Sequence, residues 1–262
     1  MSIGRFLFDL LFPPRCIACR SFCKKDLLDP CEAPFCEKCR LEWEREKTVA
    51  CANCGRELLS CRCSSGRMEK AGVSESLKLV FYQSEKDTVG RRAVLYLKKN
   101  RNRRAFDFFA EQLSFPIRRY MNEKGFTAED IRFCHVPRFY KSTETYGLDQ
   151  AEQLSRALSK RWGSASVPLF YRDGAISVEQ KTLSAGERAK NAQKLFRVNE
   201  DQLARLGDVK CLFLVDDVIT TGASVSACAK LLGGRYCGET VAVSLARTPL
   251  LRRKIPKKDI KI

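Results

Sequence analysis

Leu212-Phe213-Leu214-Val215-Asp216-Asp217-Val218-Ile219-Thr220-Thr221-Gly222-Ala223-Ser224 decides how this chain is read. The apolar run from Lys210 to Val215 has the continuity of a strand buried on both faces of a parallel sheet. It gives way to two acids, then to hydroxyls and a glycine, and then to Ala223–Leu232, whose apolar residues recur at helical spacing. In open α/β sheets ligands bind beyond the carboxyl ends of the strands, where the amides that begin the next helix face a crevice. If Asp216 and Asp217 come at the strand end, their side chains point to opposite faces and at least one carboxylate faces that crevice. A carboxylate there accepts hydrogen bonds from a vicinal diol or holds a hydrated divalent cation. Thr220, Thr221 and Ser224 offer hydroxyls, Gly222 permits close backbone approach, and the helix start from Ala223 adds a positive dipole end. Acid, hydroxyls and glycine in this order suit a ribose that carries a phosphate. The bland alternative is a strand-turn-helix with a threonine N-cap and solvated aspartates.

Working outward, Ser76–Tyr82 and Ile131–Val136 read as strands, with Val167–Tyr171 a weaker one and Thr240–Ala246 a further buried one. Thr88–Lys99, Arg104–Tyr120 and Asp149–Arg161 carry apolar residues at helical spacing, and Pro116 predicts a break in the second of these. Strands alternating with helices predict an α/β fold with a mainly parallel sheet and flanking helices. Composition agrees, since 44% hydrophobic residues can bury a core and charge does not dominate.

Of fourteen cysteines, ten lie between Cys16 and Cys63. Cys16 with Cys19, Cys36 with Cys39 and Cys51 with Cys54 have the two-residue spacing that lets both thiolates of one turn bind one tetrahedral ion. The first two pairs make one four-cysteine zinc site; the third needs Cys61 and Cys63, at a tighter one-residue spacing. Cys23 and Cys31 are spare, and an interleaved pairing that uses them stays open. A segment so poor in core-forming runs is expected to need its structural zinc, one ion or two, to fold. Cys134, Cys211, Cys228 and Cys237 read as core residues, and His135 as structural. The expected organisation is an N-terminal helix and zinc-ribbon region at 1–68, an α/β domain at 69–250 and a basic tail at 251–262.

The net charge of +17 draws polyanions without choosing among nucleic acid, lipid and phosphorylated small molecules. Two basic clusters stand out, Lys98–Arg104 and Arg252–Lys258, each equally readable as a solvated face. Met1–Leu11 reads as a short docking helix instead of a signal peptide, and no apolar run is long enough to span a membrane, so a cytoplasmic location is expected.

The stretch Leu214–Ser224 resembles the phosphoribosyl pyrophosphate signature of the type I phosphoribosyltransferases. Gln180–Asn191, followed by Leu195 and Phe196, resembles a second block found in the ComF (competence protein F, GntX-like) branch, whose members also carry an N-terminal zinc ribbon. The resemblance covers nearly the whole chain. It implies a type I phosphoribosyltransferase-like fold that binds phosphoribosyl pyrophosphate with Mg²⁺, or a related ribose phosphate. It also implies a role in DNA uptake, with single-stranded DNA and a DNA-uptake helicase or recombination protein as partners. The alternative is an active phosphoribosyltransferase of nucleotide or cofactor metabolism, in which a nitrogen nucleophile attacks the anomeric carbon as pyrophosphate leaves. Arg138, Lys141, Lys181 and Arg188 are the candidate pyrophosphate or polyanion contacts. The chain departs from the branch after Val136-Pro137, where several expected arginines are missing and Arg138, Lys141 and Gln150 survive.

Overall fold

The computed structural model describes residues 13–23, 33–138, 148–172 and 195–250. Its centre is a four-stranded parallel sheet in the order β1-β6-β5-β2, made of β1 (Val73–Phe81), β2 (Ile131–His135), β5 (Cys211–Ile219) and β6 (Glu239–Arg247). A separate antiparallel pair joins β3 (Phe170–Arg172) to β4 (Phe196–Val198). The chain is therefore an α/β protein with a parallel sheet between layers, preceded by a cysteine-rich region.

One face of the sheet is covered by α1 (Glu37–Lys47), α3 (Val89–Leu97), α4 (Arg103–Lys124) and α5 (Gln150–Trp162). The other carries α2 (Gly66–Glu69), α7 (Ala223–Leu232) and the β3–β4 pair, while α6 (Glu200–Ala204) follows β4. Asn102, Asp149 and Asn199 cap α4, α5 and α6 with side-chain oxygens that accept backbone N–H groups of the first turn.

The structure extends some predicted elements. Helix α4 runs through Pro116 because its buried stripe of Phe109, Leu113, Ile117 and Tyr120 continues across the proline, and that burial offsets the roughly 3 kcal/mol a mid-helix proline costs. Val167 bonds to the Phe133 carbonyl, but the strand that follows it pairs with β4 and not with the main sheet. Strand β4 has only three residues and too little pattern to be read from the sequence. Met1–Leu11, Cys31, the tail and the block Gln180–Asn191 lie outside the described residues.

The cysteine-rich region shares the core of the sheet's first face. Trp43 of α1 is buried against Phe35 and Phe109, with ring centroids 5.5 and 5.3 Å away. Glu46, also on α1, accepts the N–H groups of Val89 and Gly90 at 2.7 and 3.0 Å and so caps α3 beside Thr88. Burial pushes the Glu46 carboxyl up while those two amides pull it back.

Candidate functional site

Strand β2 pairs with β5 only as far as Val215, whereas β6 stays paired with it to Ile219. Asp216 and Asp217 thus lie within β5 at the point where its β2 edge becomes free. Sequence reading ends the strand at Val215; the structure carries it four residues further because both acids find partners there. Asp217 is buried. Its Oδ2 accepts from Arg138 Nη2 at 2.7 Å and its Oδ1 from the Val218 N–H at 2.8 Å. Asp216 Oδ1 accepts the Asp217 N–H at 2.8 Å. Burial, and then the charge of Asp217, raises the Asp216 carboxyl well above its usual range.

Two residues that sequence reading missed complete this corner. Asp149 caps α5 with one oxygen and accepts the Arg138 N–H with the other at 3.0 Å. Arg172 donates from Nε to the Pro137 carbonyl at 3.1 Å and lies over the Phe196 ring at 4.6 Å. Burial disfavours its charge, which Asp216 and Asp149 help restore. Asp149 has only the local signal of a helix cap and Arg172 has none; their contacts with the segment after β2 appear only in the folded chain. Arg138, a candidate anion contact, forms an ion pair with Asp217 that has little solvent access. Lys141, Lys181 and Arg188 fall outside the described residues.

Past Ile219 the chain turns at the exposed Thr220 and Thr221 and enters α7 through Gly222. Ala223 N–H donates to Thr221 Oγ1 at 3.4 Å, Ser224 follows in the first turn, and Gly222 at the N-cap position makes no side-chain cap bond. Gly222 has φ +73°, the left-handed conformation that a Cβ disfavours. A Cβ there would also stand 2.5 Å from Met68 Sδ. The glycine therefore serves packing against α2 as well as the turn.

The cysteines form two clusters among the described residues, Cys16, Cys19, Cys36 and Cys39 in one and Cys51, Cys54, Cys61 and Cys63 in the other. Within each, the four sulfurs lie within 4.8 Å of one another. Zn–S bonds of about 2.3 Å in a tetrahedron put sulfurs about 3.8 Å apart, so both groups can hold structural zinc. The pairing is sequential, and Cys23 stays outside both groups. Each leading pair sits in the same knuckle, with Arg20 N–H donating to the Cys16 carbonyl at 2.9 Å and Gly55 N–H to the Cys51 carbonyl at 2.8 Å. The residue after the second cysteine is left-handed in both, with φ +67° at Arg20 and +72° at Gly55.

The surroundings of the second cluster supply the test of fit. Lys78 and Arg247 are both about 1% exposed. Lys78 Nζ donates to Cys61 Sγ and to the Cys61 carbonyl, each at 2.9 Å, and to the Ser76 carbonyl at 3.1 Å. Arg247 donates to the Cys63 carbonyl, and Nε and Nη2 have no hydrogen-bond partner among the described residues. Burial works against the Arg247 charge, and the sulfurs of Cys61, Cys63 and Cys51 favour it. Four thiolates on one Zn²⁺ leave two negative charges in excess, which two buried cations balance.

Cys134, Cys211 and Cys228 are core residues, and burial pushes the Cys134 and Cys211 thiols to about 12. Cys237 is exposed, contrary to its reading as a core residue, because it lies between α7 and β6 and not inside either. No described helix is long and apolar enough to cross a membrane.

No protein-family model matches this chain, and no curated protein matches it.

Proposed function

We propose that the chain binds a ribose 5-phosphate, with phosphoribosyl pyrophosphate and Mg²⁺ the foremost candidate, in the corner beyond β2 and β5. One observation carries the reading: Asp216 and Asp217 stand where the β2 edge of β5 becomes free, a few residues before a helix whose N-cap position is a glycine. In this reading the 5-phosphate takes the amides at the start of α7 and the hydroxyls of Thr220, Thr221 and Ser224. The ribose diol takes the aspartate carboxylates, with Arg138 and Arg172 holding them against mutual repulsion. Mg²⁺ supplies charge neutralisation to the pyrophosphate.

The proposal is one of binding before turnover. Among the described candidate cations, Arg138 is already committed to Asp217, so stabilising a departing pyrophosphate requires that ion pair to open. The DNA-uptake setting, with single-stranded DNA and a helicase or recombination protein as partners, rests on the sequence resemblance and on the net charge of +17.

Calorimetric titration of the zinc-loaded protein with phosphoribosyl pyrophosphate and Mg²⁺, with and without single-stranded DNA, tests the pocket. We expect saturable binding, weakened by roughly ten- to a hundredfold in Asp217→Asn, as for loss of a charge-assisted contact. No heat of binding in either condition overturns it. Pyrophosphate release that depends on a nitrogen nucleophile would identify the chain as a transferase.

A further inference from the structure

A cavity of about 770 Å³ opens beside the first cysteine cluster, away from the ribose-phosphate corner. Its cations are Arg15, Arg20, Lys38, Arg40 and Arg104, all exposed, against the single carboxylate of Glu37. They converge from three segments of chain, the first knuckle, the start of α1 and the start of α4. Its apolar wall is made by the buried Ile17 and Phe35 and the half-buried Tyr96. Phe22 stands at the edge with 59% of its surface exposed and Arg15 4.5 Å from its ring centre. Arg20 lies 5.3 Å from the ring of Tyr96, whose hydroxyl accepts from Asn102.

Cations around an apolar wall with aromatic rings call for an anion whose body is flat and apolar. A plain phosphate leaves the aromatic wall unused, and an apolar peptide leaves the cations unused. A double helix exposes base edges and not base faces to such a recess. A nucleotide unit uses both parts of it, through base stacking on aromatic and guanidinium planes and through phosphate contact with arginine. The volume is that of a small-molecule pocket, so it holds a few such units at most.

We propose that this cavity is a nucleotide-binding site, for a free nucleotide or a unit of a single strand, that presents the base to Phe22 and Tyr96 and the phosphate to the surrounding arginines. The site is separate from Asp216 and Asp217 and does not depend on the ribose-phosphate reading.

The test is fluorescence anisotropy of a labelled ten-nucleotide thymidylate strand with the full-length, zinc-loaded protein, repeated over a salt series. Unlabelled adenosine monophosphate and a ten-base-pair duplex serve as competitors. We expect Phe22→Ala to weaken binding by about tenfold, the typical effect of losing one stacked base. Arg40→Gln should reduce the salt slope by about 0.7, as for one lost phosphate contact on a single strand. Phe22 and Arg40 are exposed, so both variants should keep wild-type zinc content, measured in parallel. Displacement by the monophosphate assigns the cavity to free nucleotides, and displacement only by unlabelled strand assigns it to polymer. No binding of either, displacement by duplex as effective as by single strand, or wild-type affinity in both variants overturns the proposal.

Discussion

The ammonium of Lys78 lies 2.9 Å from the sulfur of Cys61, buried in the interior, and none of its described partners is a carboxylate. An isolated buried cation is costly, and anionic sulfur beside it would offset that cost. With Arg247 on the neighbouring strand it matches the excess charge of a four-thiolate zinc centre.

Lys78→Met should therefore weaken the second zinc site and leave the first unchanged. Removing one partner of a buried pair costs about 3–5 kcal/mol, and second-sphere changes cost metal affinity about ten- to a hundredfold. Competition with a chromophoric chelator should show one zinc released early and one held as in the wild type. Identical release curves for the two proteins would contradict the charge-balance account.

Lys78 also marks a limit of the sequence. Ser76–Tyr82 reads only as a strand, in which nothing local marks Lys78, and the folded chain shows the cysteine cluster beside it. The parallel sheet was legible because Leu212–Val215 is a continuous apolar run and Val241–Ala246 is apolar but for Ser244. The last residues of β5 were not, since Asp216 and Asp217 look like the end of a buried segment until Arg138 arrives from the segment after β2 and Arg172 from β3. The cysteine clusters followed from local spacing even at the tight Cys61 and Cys63 pair. Gly222 was singled out for ligand approach, but its contact with Met68 joins positions far apart in the chain, which no local pattern encodes.

Gly222→Ala tests that contact. The added methyl meets Met68 Sδ at 2.5 Å and must also adopt φ +73°, so a loss of about 1–3 kcal/mol is expected. Met68 is fully buried, so Met68→Ala costs stability of its own. Within that background the clash is gone, and Gly222→Ala should lower the calorimetric melting temperature less than it does in the wild type, with the backbone strain remaining. No cost at all in the Met68→Ala background would mean that the left-handed turn is not strained.

Gly90→Ala should be as damaging, for a different reason. A Cβ at Gly90 stands 2.7 Å from Val80 Cγ2 and 2.8 Å from Glu46 Oε2, so it displaces the carboxylate that caps α3. We expect about 1–3 kcal/mol from the clash and about 1–2 kcal/mol from Glu46→Ala alone. Because both changes break one contact, the double variant should lose less than the sum in denaturant melts. Strict additivity would show that the cap and the glycine act separately.

Asp216→Asn bears on pH. Folding raises the Asp216 carboxyl, so the folded chain holds that proton more tightly than the unfolded chain. The wild type is then favoured at low pH and loses that advantage as pH rises from the usual carboxylate range through the raised value. Asparagine carries no charge and avoids the loss. The variant should melt above the wild type at pH 8, with a smaller gap at pH 5, while binding phosphoribosyl pyrophosphate more weakly. An equal gap at both pH values would sink the assignment.

The seat of Trp43 has a consequence for how the chain is made. Its aromatic neighbour Phe109, and the helix start at Val89 that Glu46 caps, are both encoded after the cysteines. Chains emerge from the ribosome N-terminus first. The thiols of Cys16 to Cys63 are thus translated before the walls that will enclose Cys16, Cys39 and Trp43 exist. A metal held by the two four-cysteine groups would shield those thiols from oxidation during that interval.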